Sequence, residues 1–386
     1  MAHSDAALPL ITPVNTLPAM NYSPATLLRD STRATLCRIA IAWFLCAQCS
    51  VGLAAAFDGT QPEAAQAAAT PPNRPEIVVM PPPWTGNGRC LRDMLRCENE
   101  WSKLRGSIQS IGYWPWLLNV HFNDDQIREL FSQLKRWNLK IGFEVPVLKA
   151  ANWGGDSLPL QSRQAFEQLQ RFTARFKKLG MEEVSWFSFD EPLYAARHVI
   201  SSQSTPEQRL ALGISETAQF IAMTRQAYPA SRVGDIEPFP ALTFDEISSS
   251  IRGVQEKCAA QQVRGLDFLR LDVDWDRMER NREGSWADVM RIESFCRANG
   301  IAFGLIYWSA DQPRLAAAGQ SSDRLWRSGI MRQWREYAAA GGSPDQIILE
   351  SWLHVPERAV PESDPDTFTG AALEFLRSNV PDSSAK

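Results

Sequence analysis

Histidine is scarce: 4 in 386 residues, of which only His198 and His354 fall near the loop face described below. That is too few for a His-rich metal site, and no cysteine spacing resembles a zinc site. Basic charge is not in excess either. Forty Lys and Arg stand against 44 Asp and Glu, a formal net charge of −4, so no broad positive field exists to neutralise nucleic-acid phosphates. No Gly-x-Ser-x-Gly elbow or catalytic Cys/His spacing is present, and no Gly-rich dinucleotide fingerprint follows the first predicted strand. These absences count against nucleic acid as a partner and against serine-elbow, thiol-protease and dinucleotide chemistry. No cofactor and no bound metal are expected, and a neutral or polymeric substrate fits better.

What is present is the balance of a globular protein, with 44% hydrophobic and 22% charged residues. Fourteen tryptophans are many. Flat aromatic faces stack on the apolar faces of sugar rings, although most tryptophans in any fold are core.

The run LCRIAIAWFLCAQCSVGLAAAF spans residues 36–57, with Arg29, Arg33 and Arg38 at its start and small residues at its end. Gln48 and Ser50 interrupt it, leaving an apolar core shorter than the ~20 residues of a spanning helix. A signal peptide over 1–56 is expected, with an uncleaved anchor as the alternative, followed by an Ala/Pro-rich linker at 57–75. The mature chain would be secreted or periplasmic, without stable membrane insertion. Four of the seven cysteines then remain, Cys90, Cys97, Cys258 and Cys296, and an oxidising compartment suggests a Cys90–Cys97 bridge.

From Glu76 onward, short apolar runs alternate with stretches of helical periodicity. Eight strands are predicted, over 77–83, 110–118, 140–148, 184–192, 232–240, 267–275, 302–309 and 347–354. The helices between them carry their own punctuation, such as Asn123 before 124–137 and the capping-box form Thr243-Phe244-Asp245-Glu246. Unbroken strand-helix alternation predicts an α/β, single-domain (β/α)8 TIM barrel over 76–379, with a disordered tail at 380–386.

In such a barrel the chemistry sits at the C-terminal ends of the strands. The acids there are Glu144, Asp190, Glu191, Asp235, Glu237, Asp272, Asp274 and Glu350. Several lie inside apolar runs, where an unpaired ionised carboxylate costs several kcal/mol, so each needs a partner, a raised pKa or a wet cleft. Bland explanations stand beside the functional one. Arg270 and Asp272 share a strand face and suit a structural ion pair; Glu144 suits a hydrogen bond to a neighbouring strand; Asp235 suits a turn. Asp190-Glu191-Pro192 is least easily explained by packing, since adjacent acids precede a proline at a strand tip. The catalytic candidates are therefore Glu191, Asp190, Asp274, Glu350 and Glu237. The substrate-binding candidates are Glu144, Trp114, Trp153, Asp272, Tyr307, Trp308, Trp352 and His354. Trp137, Trp326 and Trp334, in amphipathic stretches, are expected to be packing residues.

Phe189-Asp190-Glu191-Pro192 resembles the Asn-Glu-Pro motif that ends strand four in retaining (β/α)8 glycoside hydrolases, with Asp in place of Asn. Strand seven departs from that pattern, because Tyr307-Trp308-Ser309 offers no nucleophilic carboxylate. The consecutive acids are also similar to those of barrel N-acetylhexosaminidases that use substrate assistance, and a third resemblance, to barrels with acids on strands four and six, would pair Asp190 or Glu191 with Asp272 or Asp274. Glu350 is a further possible partner. What the resemblance implies is an exported glycosidase acting on a poly- or oligosaccharide, with Glu191 as proton donor. The rivals are a non-catalytic glycan-binding barrel and a metal-dependent hydrolase built on Glu144, Asp190, Asp272 and Asp274. Oligomeric state is not readable.

Overall fold

The computed structural model describes residues 74–148, 161–199 and 204–380. Eight parallel strands close on themselves in sequence order: β1 (Glu76–Met80), β2 (Ser110–Tyr113), β3 (Lys140–Val145), β4 (Val184–Asp190), β5 (Arg232–Phe239), β6 (Phe268–Val273), β7 (Ala302–Tyr307) and β8 (Gln346–Glu350). Closure is made by β1 against β8, from Glu76 opposite Gln346 to Met80 opposite Glu350. With helices between successive strands, this is a (β/α)8 barrel. The leader at 1–56, residues 57–73 of the linker and residues 381–386 lie outside the described residues. Among the described residues, no helix is long and apolar enough to cross a membrane.

The strand ends are shorter than the sequence predicts. The largest difference follows β2, where Trp114 leaves the sheet and Pro115–His121 forms a helix with proline in its first turn. Both predicted caps form: Asn123 and Gln126 make a capping box, as do Thr243 and Glu246.

Period-two alternation sends one set of side chains to the barrel axis and the other to the helix layer. Phe143, Phe187 and Phe189 face outward, against Phe176, Tyr228 and Phe220 on the helices. Trp186, on the opposite parity, points inward. Glycine at 142 makes room for it, since a β-carbon there would lie 1.9 Å from the indole. The lower axis is polar. Arg232 donates to both carboxylate oxygens of Glu76 at 2.6 Å, Gln346 donates to Glu76 at 2.7 Å, and Arg270 Nε donates to Gln346 at 3.1 Å. The Arg270 guanidinium lies 3.8 Å from the centre of the Trp186 ring and 4.6 Å from that of Phe268. Its two terminal nitrogens have no hydrogen-bond partner, so the Arg270–Asp272 ion pair weighed from the sequence does not form. Burial lowers its pKa to about 10, which still leaves a cation at neutral pH.

The Cys90–Cys97 bridge is absent; all four cysteines of the described residues are free thiols. Cys90 lies in the first turn of the helix Arg89–Arg96 and Cys97 is its C-cap. Seven residues of helix separate them by about 10 Å along the axis, beyond the ~4.4–6.8 Å between α-carbons that a disulfide spans.

Candidate active site

The parity that points Trp186 inward at the middle of β4 points Asp190 inward at its tip. By the same alternation Glu144 (β3), Asp272 (β6) and Glu350 (β8) face the axis at the C-terminal mouth. Trp114, just past β2, donates its indole N–H to Glu144 at 2.6 Å. Glu144 and Glu350 are both buried, and the Glu144 side chain acts on the Glu350 carboxyl. Burial pushes Glu350 up to about 8; the Arg270 cation beneath opposes this, while charge on Asp190 and Glu191 adds to it. Asp272 is half-buried, and burial holds its carboxyl well above the usual aspartate range. The Glu191, Glu350 and Asp274 charges push the same way, and the neighbouring Trp308 indole pulls back.

Glu191 lies just beyond β4, half-buried, with φ of 47°. That left-handed conformation is uncommon for a residue with a side chain and more so before proline. The surroundings fix it: its N–H donates to Ile236 O at 3.0 Å and its carbonyl accepts from Ala195 N at 2.9 Å, starting the helix Pro192–Val199. Strain held by a rigid scaffold at a strand tip is a mark of functional positions. The charge on Glu191 acts on Asp235, Glu237, Asp272 and Glu350, so it belongs to the same acid cluster.

Other candidates are placed elsewhere. Glu237 lies on the outward parity of β5 and accepts from Leu193 N at 2.7 Å and Tyr194 N at 3.2 Å, capping the helix that follows Glu191. Asp235 shares that outward parity; it is buried, and burial raises its pKa. Asp274 accepts from Arg277 N at 2.8 Å as N-cap of the helix Trp275–Asn281. Tyr307 turns to the helix layer, its ring 4.8 Å from Phe375 and 5.8 Å from Trp334. It lies outside the mouth because β7 presents Ile306 to the axis and Tyr307 to the helices. Trp308 and Trp352 pair at 4.8 Å at the tips of β7 and β8. His354 is exposed on the next loop, where its carbonyl accepts from Thr85 Oγ1 at 2.8 Å. Trp153 lies outside the described residues.

Unanticipated from the sequence is Trp84, on the loop after β1, 41% exposed and 5.6 Å from Trp116. The sequence signal was there, a tryptophan directly after three prolines at a strand tip. Among the described residues no group of three or more His, Cys, Asp or Glu side chains is arranged to hold a metal ion.

The architecture defines a (β/α)8 barrel with an acid- and indole-lined mouth. No protein-family model and no curated protein matches this chain. Solved structures with similar folds include a xylanase from Cellvibrio japonicus, at 10% identity and a TM-score of 0.47 over 79% of this chain and 97% of that one. D-psicose 3-epimerase from Clostridium cellulolyticum H10 aligns at 14% identity and TM-score 0.44 over 74% of this chain and 93% of that one. Fungal β-1,4-galactanases align at 8% and 0.42, over 67% and 79%. At such distances the likeness concerns the barrel alone.

Proposed function

We propose that the chain is a glycosidase whose working pair is Asp272 and Glu191, at the tips of β6 and β4. The observation that carries this is the pairing itself: a half-buried carboxyl facing the axis at the tip of β6, held well above the usual aspartate range by burial and by the Glu191 charge two strands away at the tip of β4. A carboxyl whose environment raises its pKa is suited to donate a proton, with a second carboxylate nearby to serve as its partner. Asp272 protonates the glycosidic oxygen and Glu191 stabilises the oxocarbenium-like transition state or activates water. This reverses the role that the motif resemblance implies for Glu191. The buried Glu350–Glu144 pair forms the floor, and the Trp114, Trp308 and Trp352 indoles flank the sugar. The same reading takes 36–57 as an export leader, which suits a glycan met outside the cytoplasm.

Leaving-group dependence tests the roles. Asp272→Asn is expected to lose about two to four decades of kcat/KM on a natural glycan and much less on an aryl glycoside with an activated leaving group, which needs no protonation. Glu191→Gln is expected to lose both. If Glu191→Gln shows the leaving-group contrast instead, the roles are exchanged. If both variants turn over natural glycan at the wild-type rate, the pair is not catalytic.

A further inference from the structure

Trp84 is one of only three large hydrophobic side chains exposed among the described residues, with Val120 at 68% and Leu325 at 37%. Two of the three neighbour Trp116: Trp84 lies 5.6 Å from it, and Val120 follows it by one helical turn on Pro115–His121, so Val120 and Trp116 share one face of that helix. An exposed tryptophan on a loose loop would mean little. This loop is fastened. Gly86, Asn87 and Gly88 all adopt positive φ, at 54°, 53° and 83°, and a β-carbon at 88 would lie 2.7 Å from the Phe122 ring. Arg92 donates to Gly86 O at 2.6 Å, to Asn87 O at 2.7 Å and to His121 O at 3.3 Å, tying the loop to the end of the helix that carries Trp116. Thr85 Oγ1 joins the same loop to the β8 loop through His354 O. The backbone is thus held in place while the indole stays in solvent, the arrangement of a preorganised binding residue rather than of a core residue left out.

We infer that Trp84 and Trp116 form a glycan-binding platform extending the mouth over the loops after β1 and β2, so that the substrate is a polysaccharide chain rather than a short glycoside. This rests on the glycosidase proposal for its substrate class. The two indole planes are tilted by 54°, an angled apolar surface that accepts the face of a pyranose ring. The chain ties it to the acid ring, because Trp114, two residues before Trp116, donates its indole N–H to Glu144. Trp308 and Trp352 extend it across β7 and β8. The half-buried Trp352 and the exposed Trp84 therefore stand on neighbouring loops, after β8 and β1, which Thr85 Oγ1 joins through His354 O.

Affinity electrophoresis in gels containing xylan, barley β-glucan, galactan or hydroxyethyl cellulose reads the platform without turnover. The full chain and its Glu191→Gln variant are expected to be retarded by at least one polymer. Trp84→Ala is expected to lose about tenfold in apparent affinity with unchanged thermal melting, and Trp84→Phe to recover part of it. On a hydrolysed polymer, the ratio of kcat/KM for polymer to that for aryl glycoside should fall by a similar factor in Trp84→Ala. Equal retardation of wild type and Trp84→Ala, no retardation by any polymer, or Trp84-dependent self-association without polymer binding would each overturn the platform. Retention without turnover on any glycoside removes only the hydrolase reading; turnover without Trp84-dependent retention removes only the platform.

Discussion

Glu350 ties its protonation state to the stability of the folded chain. Burial raises its carboxyl from near 4.5 to about 8, so between those values the folded state binds a proton that the unfolded state has released. The stability it contributes is fully present below 4.5 and is lost as pH rises through 8. Glu350→Gln keeps the shape and removes the titration. In urea unfolding at pH 5 and pH 8.5, the variant is expected to lose less stability between the two than the wild type, by on the order of 3 kcal/mol. An identical loss in both proteins would show that Glu350 is not the proton holder. Raised Asp272 and Asp235 carboxyls predict a residual slope of the same sign. None of this was readable residue by residue. That acids cluster at strand tips was plain from the sequence, but whether a given acid faces the axis or the helices depends on strand parity. Strands of a parallel barrel are buried on both faces, so no amphipathic pattern reports it. Asp272 and Glu237 look alike in sequence, yet one faces the mouth and the other caps a helix.

Elements were more legible than faces. All eight strands fall within their predicted segments or within one residue of them, because short β-branched and aromatic runs bounded by turn residues carry a strong local signal. The exception follows β2, where Trp114 to Leu118 is as apolar as a strand but begins a helix at Pro115. Periodicity over so few residues does not separate the two. The same limit applies to the short helix Arg89–Arg96, whose length keeps apart the two cysteines that the sequence suggested as a bridge. The element that matters most to the site is the helix Pro192–Val199, which holds Glu191 at its start through a cap supplied from β5. Glu237→Ala leaves the Leu193 and Tyr194 amides without their acceptor and is expected to cost about 1–3 kcal/mol of stability. Hydrogen exchange localises the effect: those two amides should exchange faster while those of the helix Phe244–Ala260 do not change. Unchanged protection at Leu193 and Tyr194 would show that the cap does not hold the helix.

At the scale of the whole molecule, the cysteines join two claims that the sequence had linked differently. An oxidising destination suggested a bridge, whereas the structure buries Cys90, Cys258 and Cys296 as separate thiols and leaves Cys97 half-buried. Burial raises Cys90 to about 12 and Cys258 to about 11, and raises Cys296 further, so the reactive thiolate is suppressed at each. Buried thiols of this kind survive an oxidising compartment without pairing, so their freedom is compatible with the proposed export. The seven cysteines of the full chain include Cys37, Cys46 and Cys49 in the proposed leader, which leaves four after cleavage. Chain recovered from outside the cytoplasm and unfolded without reductant is therefore expected to titrate with four thiols per molecule and to begin near Phe57 on N-terminal sequencing. In the native state a thiol reagent should label Cys97 first, with the other three reacting only as the barrel opens. A count of two would mean that a bridge forms after all. A count of seven, with an intact N-terminus in the membrane fraction, would mean that the 36–57 segment stays attached as an anchor.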